Sequence, residues 1–173
     1  MIKIVADLQI PNIEQKLTEF FADEYSLEYF EYDELTSNHL REVDALLVRS
    51  TIKVDKELCD HSPIKFVGSA TAGINHLDIE YLETQNISWS HAPGCNAFSV
   101  IHYVMAALGE LVKEGLFSVR QSIGIIGYGN IGKRLYQLLS ALNIEVYACD
   151  PLLQDTHLVN MEKVLFGEIR PID

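Results

Sequence analysis

Short apolar runs alternate with amphipathic stretches from the first residues of the chain onward. Residues 2–6 read as an apolar strand. Pro11 opens a helical segment to residue 21, apolar at Ile13, Leu17, Phe20 and Phe21. Residues 26–31 fit a strand, and 45–48 form a fully apolar strand that ends in Arg49-Ser-Thr51. A helix over 56–61 and a strand over 64–67 follow; the strand runs into Gly68-Ser-Ala-Thr71-Ala-Gly73. A helix over 77–85 and a strand over 87–89 complete this first stretch. Pro93-Gly-Cys-Asn96 is a turn signal. It precedes a long helix over 97–114 with an apolar stripe at Val100, Ile101, Val104, Leu108 and Leu111, ended by Gly115.

The pattern then changes character. Ile123-Gly-Ile-Ile-Gly127-Tyr-Gly129-Asn-Ile-Gly132 is an apolar strand running into a glycine turn and a helix. A second strand over 144–150 closes on Asp150. Strand, G-x-G-x-x-G, helix, strand and an acid about 20 residues on is the fingerprint of a dinucleotide-binding βαβ unit. Each residue has a separate job. Gly127 permits the tight turn, Gly129 lets the backbone approach a pyrophosphate, and Gly132 lets the helix pack close on the strand. The N–H groups of Asn130 and Ile131 would face the phosphates from the helix N-terminus. Asp150 would accept from the adenosine ribose hydroxyls and repel a 2′-phosphate, which favours NAD over NADP. The competing readings are an ordinary glycine turn and a methyltransferase, which also places an acid at this strand end.

Strand and helix in alternation predict an α/β fold: a flavodoxin-like parallel-sheet lobe over 1–95, then a long connecting helix and the first part of a Rossmann dinucleotide-binding lobe over 96–173. In such sheets ligands bind beyond the carboxyl ends of the strands. The loops carrying Arg49, Ser50 and Thr71 therefore form a candidate anion site, with one cation, hydroxyls and small residues. The bland alternative is that Ser50 and Thr71 merely cap the helices that follow them.

At 173 residues and 48% hydrophobic, the chain can bury a real core. A net charge of −12 argues against nucleic acid or an anionic membrane as partner. No apolar run is long enough for a bilayer and the N-terminus shows no signal peptide, so a cytoplasmic setting is expected. Cys59, Cys95 and Cys149 lack C-x-x-C spacing, so no disulfide framework and no metal site is expected, and each reads as a small buried apolar residue. Of the six histidines, His39, His61 and His157 read as surface residues and His76 as a cap or packing residue. None, His91 and His102 included, has a carboxylate at a spacing that fixes an acid–base pair.

Four stretches carry a family resemblance: Ala45-Leu-Leu-Val-Arg-Ser50, Ile64-Lys-Phe-Val-Gly-Ser-Ala-Thr-Ala-Gly73, Ala92-Pro-Gly-Cys-Asn-Ala97 and the glycine fingerprint. Together they resemble the D-isomer-specific 2-hydroxyacid dehydrogenases, over about residues 1–151. The resemblance implies an NAD-dependent oxidation of a small anionic, phosphorylated 2-hydroxy acid. Ser50 and Thr71 match the family's substrate-contacting residues, with Arg49 beside them. Gly127 to Gly132 match the pyrophosphate turn and Asp150 the ribose-binding acid. It also implies a homodimer for full-length members. The family's acid–base His, its partner acid and its substrate-clamping Arg fall beyond residue 173, so no catalytic residue is assigned. By that resemblance the chain is expected to be truncated and inactive alone, or else a non-catalytic NAD- or phosphate-binding remnant. His102 stands where relatives often carry a Glu.

Overall fold

The computed structural model describes residues 1–32, 34–150 and 152–153. They fall into two compact units, Met1–Cys95 and a second that begins at Asn96.

The first unit is a five-stranded parallel sheet. Its strands are β1 (Ile2–Asp7), β2 (Tyr25–Phe30), β3 (Ala45–Val48), β4 (Phe66–Ser69) and β5 (Ser88–Ser90). The helices between them are α1 (Ile13–Phe21), α2 (Lys56–Cys59) and α3 (Ile79–Thr84). The spatial order β2-β1-β3-β4-β5 is the flavodoxin-like one, with every pairing parallel. From β1 the chain first goes to one side and then to the other. The order therefore reverses between β1 and β3, and the crevice beyond their carboxyl ends is the topological switch point. Leu46, Val48 and Val67 on the central strands, with Val54 before α2 and Leu82 on α3, are fully buried and anchor the core.

The elements differ in detail from the sequence expectation. Helix α1 begins at Ile13 because Asn12 adopts the left-handed conformation, φ 56°. Only Leu17 of α1 is buried, and Phe20 is 80% exposed rather than part of the packed stripe. The expected helix over 56–61 stops at Cys59, ahead of His61 at φ 62° and Pro63. Strand β4 is shifted toward Ser69, since Ile64 packs in the core outside the ladder while the Lys65 N–H already donates to the Asp44 carbonyl, 2.9 Å. Helices α2 and α3 are capped by Asp55 and Asp78, which accept from the N–H groups of Leu58 (3.2 Å) and Tyr81 (3.0 Å). Ser50 and Thr71 cap neither.

The second unit contains α4 (Ala97–Lys113), β6 (Ile123–Ile126), α5 (Gly132–Ala141) and β7 (Val146–Cys149), with β6 and β7 paired in parallel. Gly115 ends α4 at φ 71°, and the Leu116 N–H reaches back to the Leu111 carbonyl, 2.9 Å, as a Schellman closure requires. Ile101, Ile125, Leu135, Leu139, Ile144 and Ala148 form its core. Of the expected α4 stripe, Ile101 is buried, Val104 and Leu108 pack against that core, and Leu111 is 40% exposed. Cys59 and Cys149 are buried, but Cys95 is exposed, which corrects the expectation of three buried thiols: it lies in a turn, outside any packed element. His157 lies outside the described residues.

Candidate functional site

In the first unit the parallel register brings three strand ends together: Asp7 closes β1, Arg49 follows β3, and Ser69 closes β4 opposite Val48. Asp7 is the feature the sequence reading missed. It is 3% exposed and accepts from Arg49 Nε at 3.0 Å, from the Gln9 N–H at 2.8 Å and, at the limit of contact, from Thr51 Oγ1 at 3.5 Å. A buried carboxylate needs such partners, and they settle it at the switch point. Arg49 is therefore not a free anion ligand. Its Nε is committed to Asp7, so an incoming anion meets the terminal amino groups of a guanidinium already aimed and partly neutralised. Ser50 is exposed and makes no side-chain hydrogen bond among the described residues.

At the end of β4, Ser69 Oγ lies 2.8 Å from Thr71 Oγ1 and 3.0 Å from His76 Nε2. Ser69 is 4% and His76 9% exposed, while Thr71 is half-buried. Burial pushes the His76 imidazole below its usual range, which keeps it neutral. His76 thus neither caps a helix nor serves only as packing. Its backbone is pinned as well: the Val54 N–H donates to the His76 carbonyl at 2.7 Å, and the Asp78 N–H returns to the Val54 carbonyl at 2.8 Å. The Ala92 N–H donates to the Thr71 carbonyl, 3.0 Å, which ties the loops after β4 and β5. An acid closing an apolar strand was the one available signal for Asp7, the same logic that singled out Asp150. The Ser69–His76 contact had no sequence signal, because it depends on register.

In the second unit the Gly127 N–H extends the ladder to the Cys149 carbonyl at 2.8 Å, and the chain then turns at φ 98°. That conformation needs glycine. A Cβ at Gly132 would strike the Gly127 carbonyl oxygen, would stand 2.9 Å from its carbon and would crowd Ile125 Cγ2 at 3.3 Å. Gly129 has nothing within 4 Å of where a Cβ would be, so no packing within the chain demands glycine there. Helix α5 starts without a side-chain cap. The Lys133 and Leu135 N–H groups turn back to the carbonyls of Gly129 and Ile131. Among the described residues nothing accepts from the N–H groups of Asn130 or Ile131. An uncapped helix start beside an open glycine is suited to an anion.

Asp150 sits against the same turn. Its Oδ2 accepts from the Tyr128 N–H at 2.8 Å and its Oδ1 from the Leu152 N–H at 3.0 Å. These two N–H groups, Tyr128 first, hold the carboxyl below its usual range, so it is ionised at neutral pH. The carboxylate is thus a brace for the glycine turn, with lone pairs on both oxygens still available to hydroxyl donors. Arg134 lies over the Phe98 ring at 4.6 Å, and Tyr128 meets Tyr136 edge-on. Among the described residues no group of three His, Cys, Asp or Glu side chains could hold a metal ion, and no helix is long and apolar enough to cross a membrane. The His–carboxylate pair found among them, His61 with Asp60 at 3.6 Å, is solvent-exposed.

Residues 4–162 match the family described as D-isomer specific 2-hydroxyacid dehydrogenase, catalytic domain. The chain is 41% identical over 171 residues to an erythronate-4-phosphate dehydrogenase of Hahella chejuensis, an alignment covering 96% of this chain and 44% of that protein. It is 43% identical over 160 residues to one of Pseudoalteromonas translucida, covering 91% and 42%. The chain spans less than half the length of these curated relatives. Among solved structures it is similar to the NAD+-bound 3-phosphoglycerate dehydrogenase of Entamoeba histolytica, with TM-score 0.76, 21% identity and coverage of 92% of this chain and 57% of that one. The NAD-dependent formate dehydrogenase of Staphylococcus aureus gives 0.70 at 18% identity, covering 96% and 62%. These likenesses establish the fold, and the family match carries further: the chain belongs to the D-isomer-specific 2-hydroxyacid dehydrogenase family.

Proposed function

We propose that this chain carries substrate- and cofactor-binding parts of an NAD-dependent dehydrogenase that oxidises 4-phospho-D-erythronate at its 2-hydroxyl, a step toward pyridoxal phosphate. The substrate class rests on the similarity to erythronate-4-phosphate dehydrogenases at about two-fifths identity. The cofactor rests on the chain's own glycine turn, and that turn is the observation that carries the reading. A positive-φ Gly127, a Gly132 with no room for a Cβ, and two unpartnered N–H groups at an uncapped helix start leave a cradle of the shape and polarity a pyrophosphate needs.

Gly127, Gly129, Asn130, Ile131 and Gly132 would hold the pyrophosphate, and Asp150 the adenosine ribose. NAD bound there would supply the hydride acceptor. In the first unit Arg49, Ser50 and Thr71 would hold the anionic substrate. Asp7 fixes the direction of the Arg49 guanidinium, so its amino groups meet the ligand without first giving up rotamer freedom. Ionised Asp150 would repel the extra phosphate of NADP.

Calorimetric titration with NAD, NADP and S-adenosylmethionine tests the cofactor assignment. NAD should bind, and the other two should bind at least tenfold more weakly (about 1.4 kcal/mol). Asp150→Asn should weaken NAD by about tenfold and narrow the gap to NADP, since it removes a charged acceptor but keeps the shape. Preferential binding of S-adenosylmethionine would overturn the reading.

A further inference from the structure

The loop after β4 contains a hydrogen-bonded series, Thr71–Ser69–His76, that can run in either of two directions. Thr71 Oγ1 reaches the Gly73 carbonyl at 3.5 Å, and a carbonyl only accepts. In one of the two directions the single Thr71 proton is turned toward Gly73. The 2.8 Å contact between Thr71 and Ser69 must then use the proton of Ser69. Ser69 has no second proton for His76, so His76 Nε2, 3.0 Å away, must donate. In that direction the series runs outward from the core: His76 Nε2–H to Ser69, Ser69 O–H to Thr71, Thr71 O–H to a long, weak terminal contact.

We propose that His76 is a positioning residue for anion binding: its neutral Nε2–H form sets Ser69 as a donor to Thr71 and so leaves the Thr71 proton free to turn from Gly73 to a carboxylate or phosphate oxygen of the ligand. This rests on the reading that Thr71 contacts the anionic substrate. The opposite arrangement, with Nε2 accepting from Ser69, would draw the Thr71 proton inward and present lone pairs to an anion. Burial supports the neutral ring, and the backbone pins on either side of Val54 hold it in register with Ser69. An incoming anion exchanges a 3.5 Å contact for a short charge-assisted one, so little is lost by letting go of Gly73.

The full 173-residue chain, with its histidines labelled with nitrogen-15, tests this by NMR. The His76 ring should show the proton on Nε2 in the free protein. Titration with 4-phospho-D-erythronate, with inorganic phosphate as a separate arm, should move the Thr71 resonances. His76→Leu should weaken that binding by roughly fivefold, the scale of one hydrogen bond, while His76→Gln, which keeps an N–H donor, should restore most of it. A proton on Nδ1, or equal binding by the Leu and Gln variants, overturns the proposal and leaves the substrate reading standing. A wild-type chain whose Thr71 responds to neither anion overturns the substrate reading, and this proposal with it. Amide spectra of both variants show whether each is folded. If His76→Leu unfolds, the ring tautomer and the Gln variant still decide.

Discussion

At the scale of single residues, the two strand-end acids carry the account. Asp7 closes β1 and Asp150 directly follows β7, and each braces the chain segment beside it. Asp7 is the more deeply buried, so its loss should be felt in stability as well as binding. Asp7→Ala leaves the Gln9 N–H and the Arg49 guanidinium without their acceptor, and should cost about 1–3 kcal/mol in denaturant unfolding. Anion binding should fall with it, because Arg49 loses its direction. The thiols make a separate prediction. Burial pushes Cys59 up to about 11, so it stays protonated and shielded at neutral pH, whereas Cys95 is exposed. Limited alkylation followed by mass spectrometry should mark Cys95 long before Cys59 or Cys149. Labelling of Cys59 at a comparable rate would mean that the first unit opens readily. The sequence exposed Asp150 through its spacing from the glycines, but it gave no hint that Arg49 is tied to Asp7. That pairing joins residues 42 positions apart and exists only once β1 and β3 lie side by side.

At the scale of elements, the glycine turn between β6 and α5 is where geometry is least forgiving. Gly132→Ala forces a methyl group into the Gly127 carbonyl and Ile125, so α5 must slide off β6. A loss of about 1–3 kcal/mol in the second unit is expected, seen as a lower melting temperature with NAD binding abolished. Gly129→Ala is the control, since open space surrounds that position. It should fold normally and lose only cofactor affinity. Strand and helix identities were legible because hydrophobic period and turn residues agree along the whole chain. The element ends were not, since they are decided by details such as the Asp55 and Asp78 caps and the left-handed Asn12. The His76–Ser69–Thr71 series was illegible for the same reason as the Asp7–Arg49 pair: it depends on where a loop folds back, here through the Val54 bridge.

At the scale of the molecule, each of the two units contains a parallel sheet and one of the two candidate sites. The first gathers an aimed guanidinium and four hydroxyl residues, Ser50, Thr51, Ser69 and Thr71, at the ends of β3 and β4, beside a buried acid at the end of β1. The second offers a bare helix start and a braced glycine turn. The strongly acidic chain gives anions no long-range attraction, so on the proposed reading recognition would fall to these local donors. The family match explains why both features occur in one chain. An NMR titration of the 173-residue chain with NAD tests whether the glycine turn is a dinucleotide site. The amides of Gly127, Gly129, Asn130 and Ile131 should shift together and saturate, with Tyr128 following through its bond to Asp150. If NAD leaves these amides unmoved, or moves them no more than inorganic phosphate does, the account of this turn is wrong.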